Sequence, residues 1–400
     1  MAVTTTGFDA ILAPLTSGEF FGRYVFAEPF FVKGIPDKFE SLFTWTSLNK
    51  ILSYSRHDPK RVHLDKVGAA ADELTFTHTV RNVRGEDILR IDVPALYRRL
   101  REGATLVVDA VNEVDPVIAA LSEEMGALFA TAAATTVLFA SFGHTPGFAI
   151  HWDNRDVYAL QVEGEKRWSI YEPSRVAPLG RGDAFVPDSG EPGPLRWEGT
   201  LQRGDLLYIP RGWWHEVTST DSPSLHLNLG FAPLTGVDFV TWLAEEFRTE
   251  PFMRRDMPRF GDAEALEAYR RTLVSMLTER LGASCIADYL AAQRARSRPQ
   301  THVSLPFGVA PHHAAPQPAH RVRLVTPLVD VAGNDGTLIL RGAGRETAIP
   351  SWARPLMERL GSGTGASIAE LAGAVNGVPI EDVCSLVGAL IERGFVCTAP

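Results

Sequence analysis

One motif constrains this chain more than any other, the tripeptide His151-Trp152-Asp153 followed at a distance by His215. Side chains at positions i and i+2 of a strand share a face, so His151 and Asp153 can bind one metal ion from one strand. His215 lies in the run GDLLYIPRGWWHEV, where a Pro-Arg-Gly turn ends one strand and begins the next. Two imidazoles and one carboxylate on one side of an ion leave the opposite positions open, as in mononuclear non-haem Fe(II) sites.

An HxD tripeptide occurs often by chance, so its surroundings decide its meaning. Between about 130 and 231 the chain consists of short β-branched or aromatic runs with Gly- and Pro-rich turns between them. These runs are TTVLFASF, VYALQVEG, KRWSIYEP, GDLLYIP, HEVTST and SLHLNLGF. Many short strands with turn signals between them predict a β-sandwich or barrel, which would hold the three residues together.

The rest of the chain divides by texture. Residues 1–95 mix short helical and extended patterns: the run at 20–34 favours a strand or packing arm, and the run at 37–54 favours a helix. Apolar spacing predicts helices across 95–130 and again across 236–297. A Pro- and His-containing stretch at 301–320 reads as a linker. In residues 321–400, strands flank two helices, an order that resembles a winged helix.

Composition limits the classes of function. The formal net charge is −9 and the pI about 5.7, whereas a nucleic-acid surface needs clustered Lys and Arg, so we expect no nucleic-acid partner. The three cysteines form no CxxC pair and no plausible disulfide framework, which favours a reducing compartment. We find no signal-peptide pattern and no long apolar span, and therefore expect a cytoplasmic protein without membrane contact.

The runs HWDNRDVYALQVEGEKRWSIYEP, GDLLYIPRGWWHEV and SLHLNLGF together resemble the JmjC oxygenases, and within them the ribosomal oxygenases and their bacterial relatives. The likeness implies a mixed α and β chain. Its core would be a double-stranded β-helix (a cupin-like jelly roll, mainly 130–231) in an oxygenase domain at 1–235. A helical dimerisation region at 236–300 and a winged-helix-like domain at 321–400 would follow, and the protein would be a homodimer.

The same resemblance implies the cofactors. Fe(II) would be bound by His151, Asp153 and His215, and 2-oxoglutarate and O₂ would be consumed as a substrate is hydroxylated. The basic residue that pairs with the distal carboxylate of 2-oxoglutarate falls on Lys166, in the segment GEKRW. An ammonium inside the jelly roll can neutralise a carboxylate that is desolvated on binding. Considered alone, Lys166 would be a solvated hairpin lysine beside Glu163 and Glu165.

Other co-substrate contacts depart from the family pattern. The strand before the HxD often carries Asn or another polar residue, but here Val137 stands near that place. Thr135, Thr136 or Ser141 can substitute for it, and Asn228 can assist from the last strand. His226 is two residues before Asn228, and we interpret it as a core residue or a support for the ligands.

Substrate-side residues are suggested only by proximity. Arg155, Tyr158, Trp213 and Trp214 flank the presumed iron and can line a substrate cleft, or the aromatic ones can pack the jelly roll. The resemblance implies a protein or peptide substrate, as for ribosomal oxygenases. The lack of a reader module or nuclear-type basic tract argues against histone demethylation.

Three other functions stay open at this level. A tailoring hydroxylase of a small peptide or metabolite would need no change of motif. A DNA-binding regulator would use the winged-helix-like tail. Its second helix is IEDVCSLVGALIERG, in which Arg393 is the only basic residue. A metal-binding cupin without catalysis is consistent with Val137, although the intact triad argues against it.

Overall fold

The chain divides into two compact units. The first comprises Met1–Leu128 and Ala133–Ala232, and the second comprises Phe129–Ala132 and Pro233–Pro400. The computed structural model describes residues 7–54, 58–70, 74–129, 134–143, 147–179, 190–220, 222–282, 284–296, 301–307, 309, 315–326, 329–333, 336–361 and 365–399.

Twelve described strands belong to the first unit. They are β1 (Phe30–Val32), β2 (Val62–Asp65), β3 (Thr77–Arg81), β4 (Asp87–Ile91), β5 (Thr105–Val108), β6 (Thr135–Ser141), β7 (Asp156–Glu163), β8 (Glu165–Tyr171), β9 (Leu195–Gln202), β10 (Leu206–Ile209), β11 (Trp214–Ser219) and β12 (Ser224–Phe231). β3 and β4 form a separate hairpin.

Two antiparallel sheets form the core of this unit. The larger has the order β1-β10-β7-β12-β6-β5-β2, and the smaller has the order β11-β8-β9. Apolar side chains of both sheets, such as Ala159 and Leu207 of the larger and Trp168 and Ile170 of the smaller, share one buried cluster. The sheets therefore face each other, as in a jelly roll, and a space between them can be lined from both sides.

Five described helices accompany these sheets: α1 (Phe8–Leu12), α2 (Ser17–Arg23), α3 (Trp45–Leu52), α4 (Val93–Arg101) and α5 (Pro116–Leu128). The aromatic rings of Phe8 and Phe20, from α1 and α2, pack on Tyr158 of β7, and Phe20 also meets Tyr208 of β10 edge to face. Helices α1 and α2 thus cover part of the face of the larger sheet that points away from the smaller one.

Asp205 is a fully buried carboxylate at the start of β10. It accepts hydrogen bonds from the backbone N–H groups of Gly34 and Gln202, both at 2.9 Å, and its Oδ2 lies 3.6 Å from Lys33 Nζ. Gly34 approaches Gly204 so closely that a Cβ at residue 34 would lie 1.8 Å from the Gly204 carbonyl oxygen. The Asp205 carboxylate therefore holds the segment around Gly34 to the larger sheet. At residue 34 only glycine fits, because the Gly204 backbone lies too close for a side chain.

The second unit begins with three helices, α6 (Gly236–Glu246), α7 (Ala263–Arg280) and α8 (Cys285–Arg296). Trp242, Leu243, Phe247 and Tyr289 form the small core of this region. Helix α7 has no buried residue along its 18 positions, and Leu266 and Val274 are 49% and 48% exposed. Leu266 and Val274 are therefore half-uncovered in the described part of the chain, whereas Met276 and Leu277 pack against the small core.

The remainder of the second unit has its own apolar core, which includes Val322, Leu340, Leu356, Leu371 and Val387. Its elements are β13 (Arg321–Leu324), β14 (Asp330–Ala332), β15 (Thr337–Gly342), β16 (Arg345–Pro350), α9 (Arg354–Gly361), β17 (Ala366–Ser367), α10 (Ile368–Gly373), α11 (Ile380–Glu392) and β18 (Val396–Thr398). The strands form two antiparallel sheets, β17-β13-β18 and β14-β15-β16.

The predicted mixture of α and β structure with antiparallel sheets is confirmed. All six strand runs expected between 130 and 231 form strands, and the helices expected in 236–297 are present. The prediction of a helical segment across 95–130 was wrong for β5, whose four residues TLVV are all buried. The helix expected over 37–54 is confined to α3, and part of the extended run at 20–34 belongs to α2. β9 was not anticipated.

The described residues test two further expectations only in part. The linker predicted at 301–320 includes residue 308 and residues 310–314, which lie outside the described residues. Among the described helices, none combines the length and the apolar character that crossing a bilayer requires.

We expect Asp205→Asn to destabilise the first unit by about 2–4 kcal/mol, because an amide replaces one of two buried acceptor oxygens and the negative charge is lost. Denaturant unfolding monitored by tryptophan fluorescence measures the change. Asp37→Asn is the matched control, since that side chain is 75% exposed and its pairing with Arg203 is a surface contact. Equal effects of the two substitutions would contradict the importance of the buried carboxylate.

Candidate metal centre and its cavity

His151, Asp153 and His215 come together at one end of the space between the two sheets. One ligand atom from each residue lies within 4.8 Å of the others. Among the described residues, these three form the one cluster of side chains that could hold a metal ion. His215 Nε2 is 3.7 Å from Asp153 Oδ2, and the two imidazole rings are 4.3 Å apart. The predicted triad is thus assembled with a spacing that suits a single ion.

Backbone pairing brings the two histidines together. His151 and His215 form an isolated antiparallel bridge, in which His215 N donates to His151 O at 2.7 Å and His151 N donates to His215 O at 3.1 Å. His215 is the second residue of β11, which pairs with β8. The HxD segment therefore extends the smaller sheet, and the register of one bridge sets the separation of the side chains.

The same nitrogen of each imidazole is engaged by the protein. His151 Nδ1 lies 2.8 Å from the Ala149 carbonyl oxygen, and His215 Nδ1 lies 3.2 Å from that of Trp213. A carbonyl oxygen only accepts, so each Nδ1 carries the proton and each Nε2 keeps a free lone pair. Burial and the neighbouring His151 lower the pKa of His215 below its usual value, which favours the neutral, metal-binding form.

The turn that delivers His215 is bonded to the HxD segment. Gly212 N donates to the Asp153 carbonyl oxygen at 2.9 Å, and Arg211 N donates to Asp156 Oδ1 at 2.9 Å. Gly212 has φ +86°, and a Cβ there would lie 2.5 Å from Pro178 Cδ. The Pro-Arg-Gly turn thus has a physical role, because its glycine permits both the backbone conformation and the contact.

A cavity of about 520 Å³ opens beside the triad. The larger sheet contributes most of its wall, and Lys166, Trp168, His215 and Val217 come from the smaller sheet. Lys166 is 5% exposed, whereas the side chains of Asp109 and Asp153 are 41% and 36% exposed. The cavity therefore has a buried end, at Lys166, and a solvent-facing end.

Lys166 is not the solvated hairpin lysine that its neighbours in sequence suggest. Its ammonium donates to Ser141 Oγ at 3.0 Å, and Ser141 Oγ lies 3.1 Å from Thr105 Oγ1. Burial lowers the pKa of Lys166 to about 7, and no carboxylate of the described residues offsets that effect. We call Lys166, Ser141 and Thr105 the anion end, because a buried ammonium without a carboxylate is stabilised by an incoming anion.

Strand register arranges the wall of the larger sheet in cross-strand rows. A middle row runs through His63, Val107, Phe139 and His226, which are successive partners on β2, β5, β6 and β12. The next row contains Val137 and its partner Asn228, and Asp109 comes level with them because Val108 pairs with Leu138. We call Asp109, Val137 and Asn228 the outer row.

Two buried polar atoms on this wall have no hydrogen-bond partner in the described part of the chain. They are His226 Nδ1 and Asn228 Oδ1. The His226 ring stacks on Phe139 at 4.9 Å and meets Trp168 edge to face, and burial together with the Lys166 charge lowers its pKa well below the usual value. Polar atoms of this kind are expected where a ligand supplies the missing partner.

The structure brings only some of the predicted site residues to the cavity. The triad, Lys166, Asn228 and Arg155 line it, and Ser141 touches Lys166. Thr136 does not line it, because odd positions of β6 face the cavity while the Thr136 hydroxyl bonds to Ser122 on the other side. Thr135 and Val137, in contrast, line the cavity.

The three aromatic residues proposed for the substrate cleft also fall outside the cavity lining. Tyr158 is fully buried and packs on Phe8 and Phe20. Trp214 is 8% exposed and donates its indole N–H to Ser174 Oγ at 3.0 Å. Trp213 packs at the edge of the apolar cluster between the sheets. For these residues the structure agrees with packing of the jelly roll, the other interpretation that the sequence left open.

Sequence analysis missed His63, Thr105 and Asp109, which all line the cavity. His63 Nε2 lies 3.1 Å from Asp65 Oδ2, and its Nδ1 lies 3.6 Å from Asp109 Oδ2. The side-chain hydrogen bond to Asp65 raises the pKa of His63. A signal existed in the alternation of Thr105, Val107 and Asp109, but their segment was interpreted as helical and its period-two pattern was overlooked.

Two facing antiparallel sheets with a two-histidine, one-carboxylate cluster between them define a jelly-roll domain with a candidate metal centre. Residues 113–239 match the model of the JmjC domain family.

The chain is similar in sequence to proteins of other organisms. It is 45% identical over 85 residues to the bifunctional lysine-specific demethylase and histidyl-hydroxylase NO66 of Drosophila persimilis, which covers 21% of this chain and 12% of the relative. It is 29% identical over 325 residues to ribosomal oxygenase 1 of Rattus norvegicus, covering 75% of this chain and 51% of the relative. The chain thus spans about half, or much less, of the length of these relatives.

Solved structures share the fold of nearly the whole chain. The structure of Escherichia coli ycfD aligns with a TM-score of 0.61 at 19% identity, covering 96% of this chain and 98% of that chain. The ribosomal oxygenase YcfD of Escherichia coli in complex with cobalt and 2-oxoglutarate aligns with a TM-score of 0.57 at 18% identity, covering 96% and 99%. At this identity the likeness establishes the fold.

Removing one ligand from the triad should abolish tight metal binding. We expect His215→Ala and Asp153→Ala each to weaken Co(II) binding by about 100-fold or more, because replacing a ligand costs at least as much as replacing its supporting partner. Isothermal titration with Co(II) measures the affinity. His78→Ala on β3 is the control, since this exposed histidine lies outside the cavity lining. Unchanged affinity in the triad variants would refute the metal centre.

Proposed function

We propose that this protein is an Fe(II)- and 2-oxoglutarate-dependent dioxygenase that hydroxylates an amino-acid side chain of a protein or peptide. One observation carries the proposal: a single cavity contains both the triad of His151, Asp153 and His215 and the buried ammonium of Lys166. A metal-binding cupin without catalysis would need the first feature but not the second.

The donor set fits Fe(II). Two imidazoles and one carboxylate offer ligand atoms within 4.8 Å of one another, and all three residues line the cavity, as a two-histidine, one-carboxylate iron site requires. When bound, Fe(II) together with 2-oxoglutarate and O₂ supplies the oxidising chemistry of the hydroxylation. The protein's own part is to hold each imidazole by its Nδ1–H, to keep the three ligands in register and to exclude bulk water.

The anion end fits the distal carboxylate of 2-oxoglutarate. Lys166 provides the positive charge, and the hydroxyls of Ser141 and Thr105 lie next to it in a hydrogen-bonded chain. A carboxylate bound there would form a charge-assisted hydrogen bond with Lys166 inside a low-dielectric site, which favours the charged form of the lysine. We therefore propose Ser141 and Thr105 as co-substrate contacts, and we no longer propose Thr136.

A protein or peptide substrate is supported by the relatives and by the cavity. The relatives are named ribosomal oxygenase and histidyl-hydroxylase, names that describe action on proteins. The solvent-facing end carries Asp109, His63 and Arg155, so that a side chain from a larger molecule can enter while the anion end stays covered. The net charge of −9 suits a basic polypeptide.

We also propose the domain organisation that the resemblance implies: an oxygenase domain at 1–235, a dimerisation region at 236–300, a linker at 301–320 and a winged-helix-like domain at 321–400. The uncovered apolar side chains of α7 support the dimer, because a second copy would bury them. The three free cysteines support a cytoplasmic location.

The tail is proposed to be a winged-helix-like domain that contacts protein. The order α9, β17, α10, α11, β18, with β13 pairing to both β17 and β18, supports the winged-helix likeness. Helix α11 carries Glu381 and Asp382 in its first turn, and its buried side chains belong to the core of the tail. Such a helix offers little to bases and phosphates, which favours packing or protein contact over DNA binding.

Protein purified without oxygen and supplied with Fe(II), ascorbate, O₂ and 2-oxoglutarate should form succinate slowly, and His151→Ala should form none. We expect Lys166→Met to weaken anaerobic 2-oxoglutarate binding by about 10–100-fold, the value of a hydrogen bond between charged groups, and Lys166→Arg to weaken it less. Lys50→Met, at an exposed position of α3, is the matched control.

If the wild-type protein neither forms succinate nor binds Fe(II) and 2-oxoglutarate together, the catalytic proposal is wrong. A metal-binding cupin is then the better description.

The dimer is tested by light scattering. The wild-type chain should have twice the monomer mass of 43.7 kDa, and Leu266→Glu combined with Val274→Glu should give the monomer, since charges would replace the apolar contact. Val83→Glu is the control, because Val83 is fully exposed in the β3–β4 hairpin. A monomeric wild-type protein would refute the proposal.

A further inference from the structure

Asp156 is a buried carboxylate at the start of β7, three residues after the predicted metal ligand Asp153. Both of its oxygens accept hydrogen bonds. Oδ2 accepts from the Tyr208 hydroxyl at 2.6 Å, and Oδ1 accepts from the Arg211 backbone N–H at 2.9 Å. The carboxylate therefore joins the start of β7 both to β10 and to the turn that follows β10.

The surroundings fix the direction of both hydrogen bonds. The Tyr208 oxygen accepts from the Phe26 backbone N–H at 2.9 Å, so its own proton points to Asp156. Burial raises the pKa of Tyr208, which keeps that proton in place. The backbone N–H of Arg211 can only donate. Residue 156 must therefore offer an acceptor to each of two donors, which a carboxylate does and an amide does not.

The turn held by Asp156 contacts both parts of the metal centre. Gly212 N donates to the Asp153 carbonyl oxygen at 2.9 Å, and the Trp213 carbonyl oxygen lies 3.2 Å from His215 Nδ1. Gly212 and Trp213 directly follow Arg211 in the chain, so a shift of the Arg211 backbone would displace both contacts. The direction of the His215 ring therefore depends on where this backbone is held.

Asp205 offers a comparison at the opposite end of β10. Asp156 is 5% exposed and Asp205 is fully buried, and each carboxylate accepts two hydrogen bonds. Asp205 precedes β10 and holds Gly34 and Gln202, neither of which lines the cavity. The two carboxylates are thus alike in burial and bonding, but Asp156 holds the end of β10 that leads to His215.

We propose that Asp156 is a positioning residue of the metal centre, which sets the direction of the His215 imidazole by holding the Arg211 backbone. Asp156 does not line the cavity, so it acts through the turn and not by contact with the ion. The inference rests on the metal centre of the proposed function and needs neither the co-substrate nor the substrate.

The experiment measures Co(II) binding to the full chain by isothermal titration, together with the visible absorption of the protein saturated with Co(II). We expect Asp156→Ala to weaken Co(II) binding by about 10–100-fold, the usual effect of removing a group that orients a metal ligand. The absorption bands of the saturated variant should also change, because they respond to the geometry of the ligands. Tyr208→Phe keeps the Arg211 bond and should weaken binding by about threefold at most.

Asp205→Ala is the matched control, because it removes a similarly buried carboxylate from the other end of β10. It should leave the Co(II) affinity and the absorption bands at their wild-type values. Denaturant unfolding establishes that each variant is folded at the temperature of the titration. If either alanine variant does not fold, Asp156→Asn and Asp205→Asn replace the pair, with the same contrast expected.

Equal losses of affinity in the two variants would mean that Asp156 acts only through stability, and would overturn the inference. Wild-type affinity and absorption in the Asp156 variant would overturn it as well. Failure of the wild-type protein itself to bind Co(II) would instead refute the metal centre, and with it the proposed function.

Discussion

The pair of backbone hydrogen bonds between His151 and His215 is the constraint on which the candidate site depends. It joins the segment that contains His151, which lies outside the named strands, to the beginning of β11. It thereby fixes the spacing of the two imidazoles. The bonds of each Nδ1 to a nearby carbonyl oxygen then set the ring orientation, and the 210–212 turn bonds back to Asp153. A metal centre of this kind is held mainly by the main chain, which tolerates changes of the surrounding side chains.

Beyond the triad, the charged groups of the cavity lie at its two ends along the strands of the larger sheet. A buried ammonium with two hydroxyls occupies one end, an aromatic middle row contains Phe139 and His226, and a carboxylate occupies the solvent-facing end. Each charge is only partly compensated within the described protein, because burial lowers the pKa of Lys166 and raises that of Asp109. The buried end therefore favours an anion, whereas the solvent-facing end carries His63 and Arg155 beside its carboxylate.

Prediction from sequence succeeded where a local pattern directly reflected the structure. The alternation in TTVLFASF and SLHLNLGF predicted strands, and the HxD and His215 spacing predicted the triad. It failed where the pattern was ambiguous. TLVV is buried on both faces of β5, so the strand period shows only in Thr105, Val107 and Asp109, and it was overlooked. Thr136 was expected to contact the co-substrate, but the direction of its side chain depends on the phase of β6, and its hydroxyl bonds to Ser122 outside the cavity.

By itself the sequence determined the residue types of the metal centre, the β-rich character of 130–231 and the position of a lysine that could pair with a carboxylate. These follow from chemistry and from periodicities of a few residues. Only the tertiary structure decided that Lys166 is buried against Ser141, that Tyr158 and Trp214 are packing residues, and that Asp109, Val137 and Asn228 form one row. The reason is physical: burial and cross-strand neighbours depend on pairings between strands distant in the chain, and the register of those pairings is set by the packing of both sheets together.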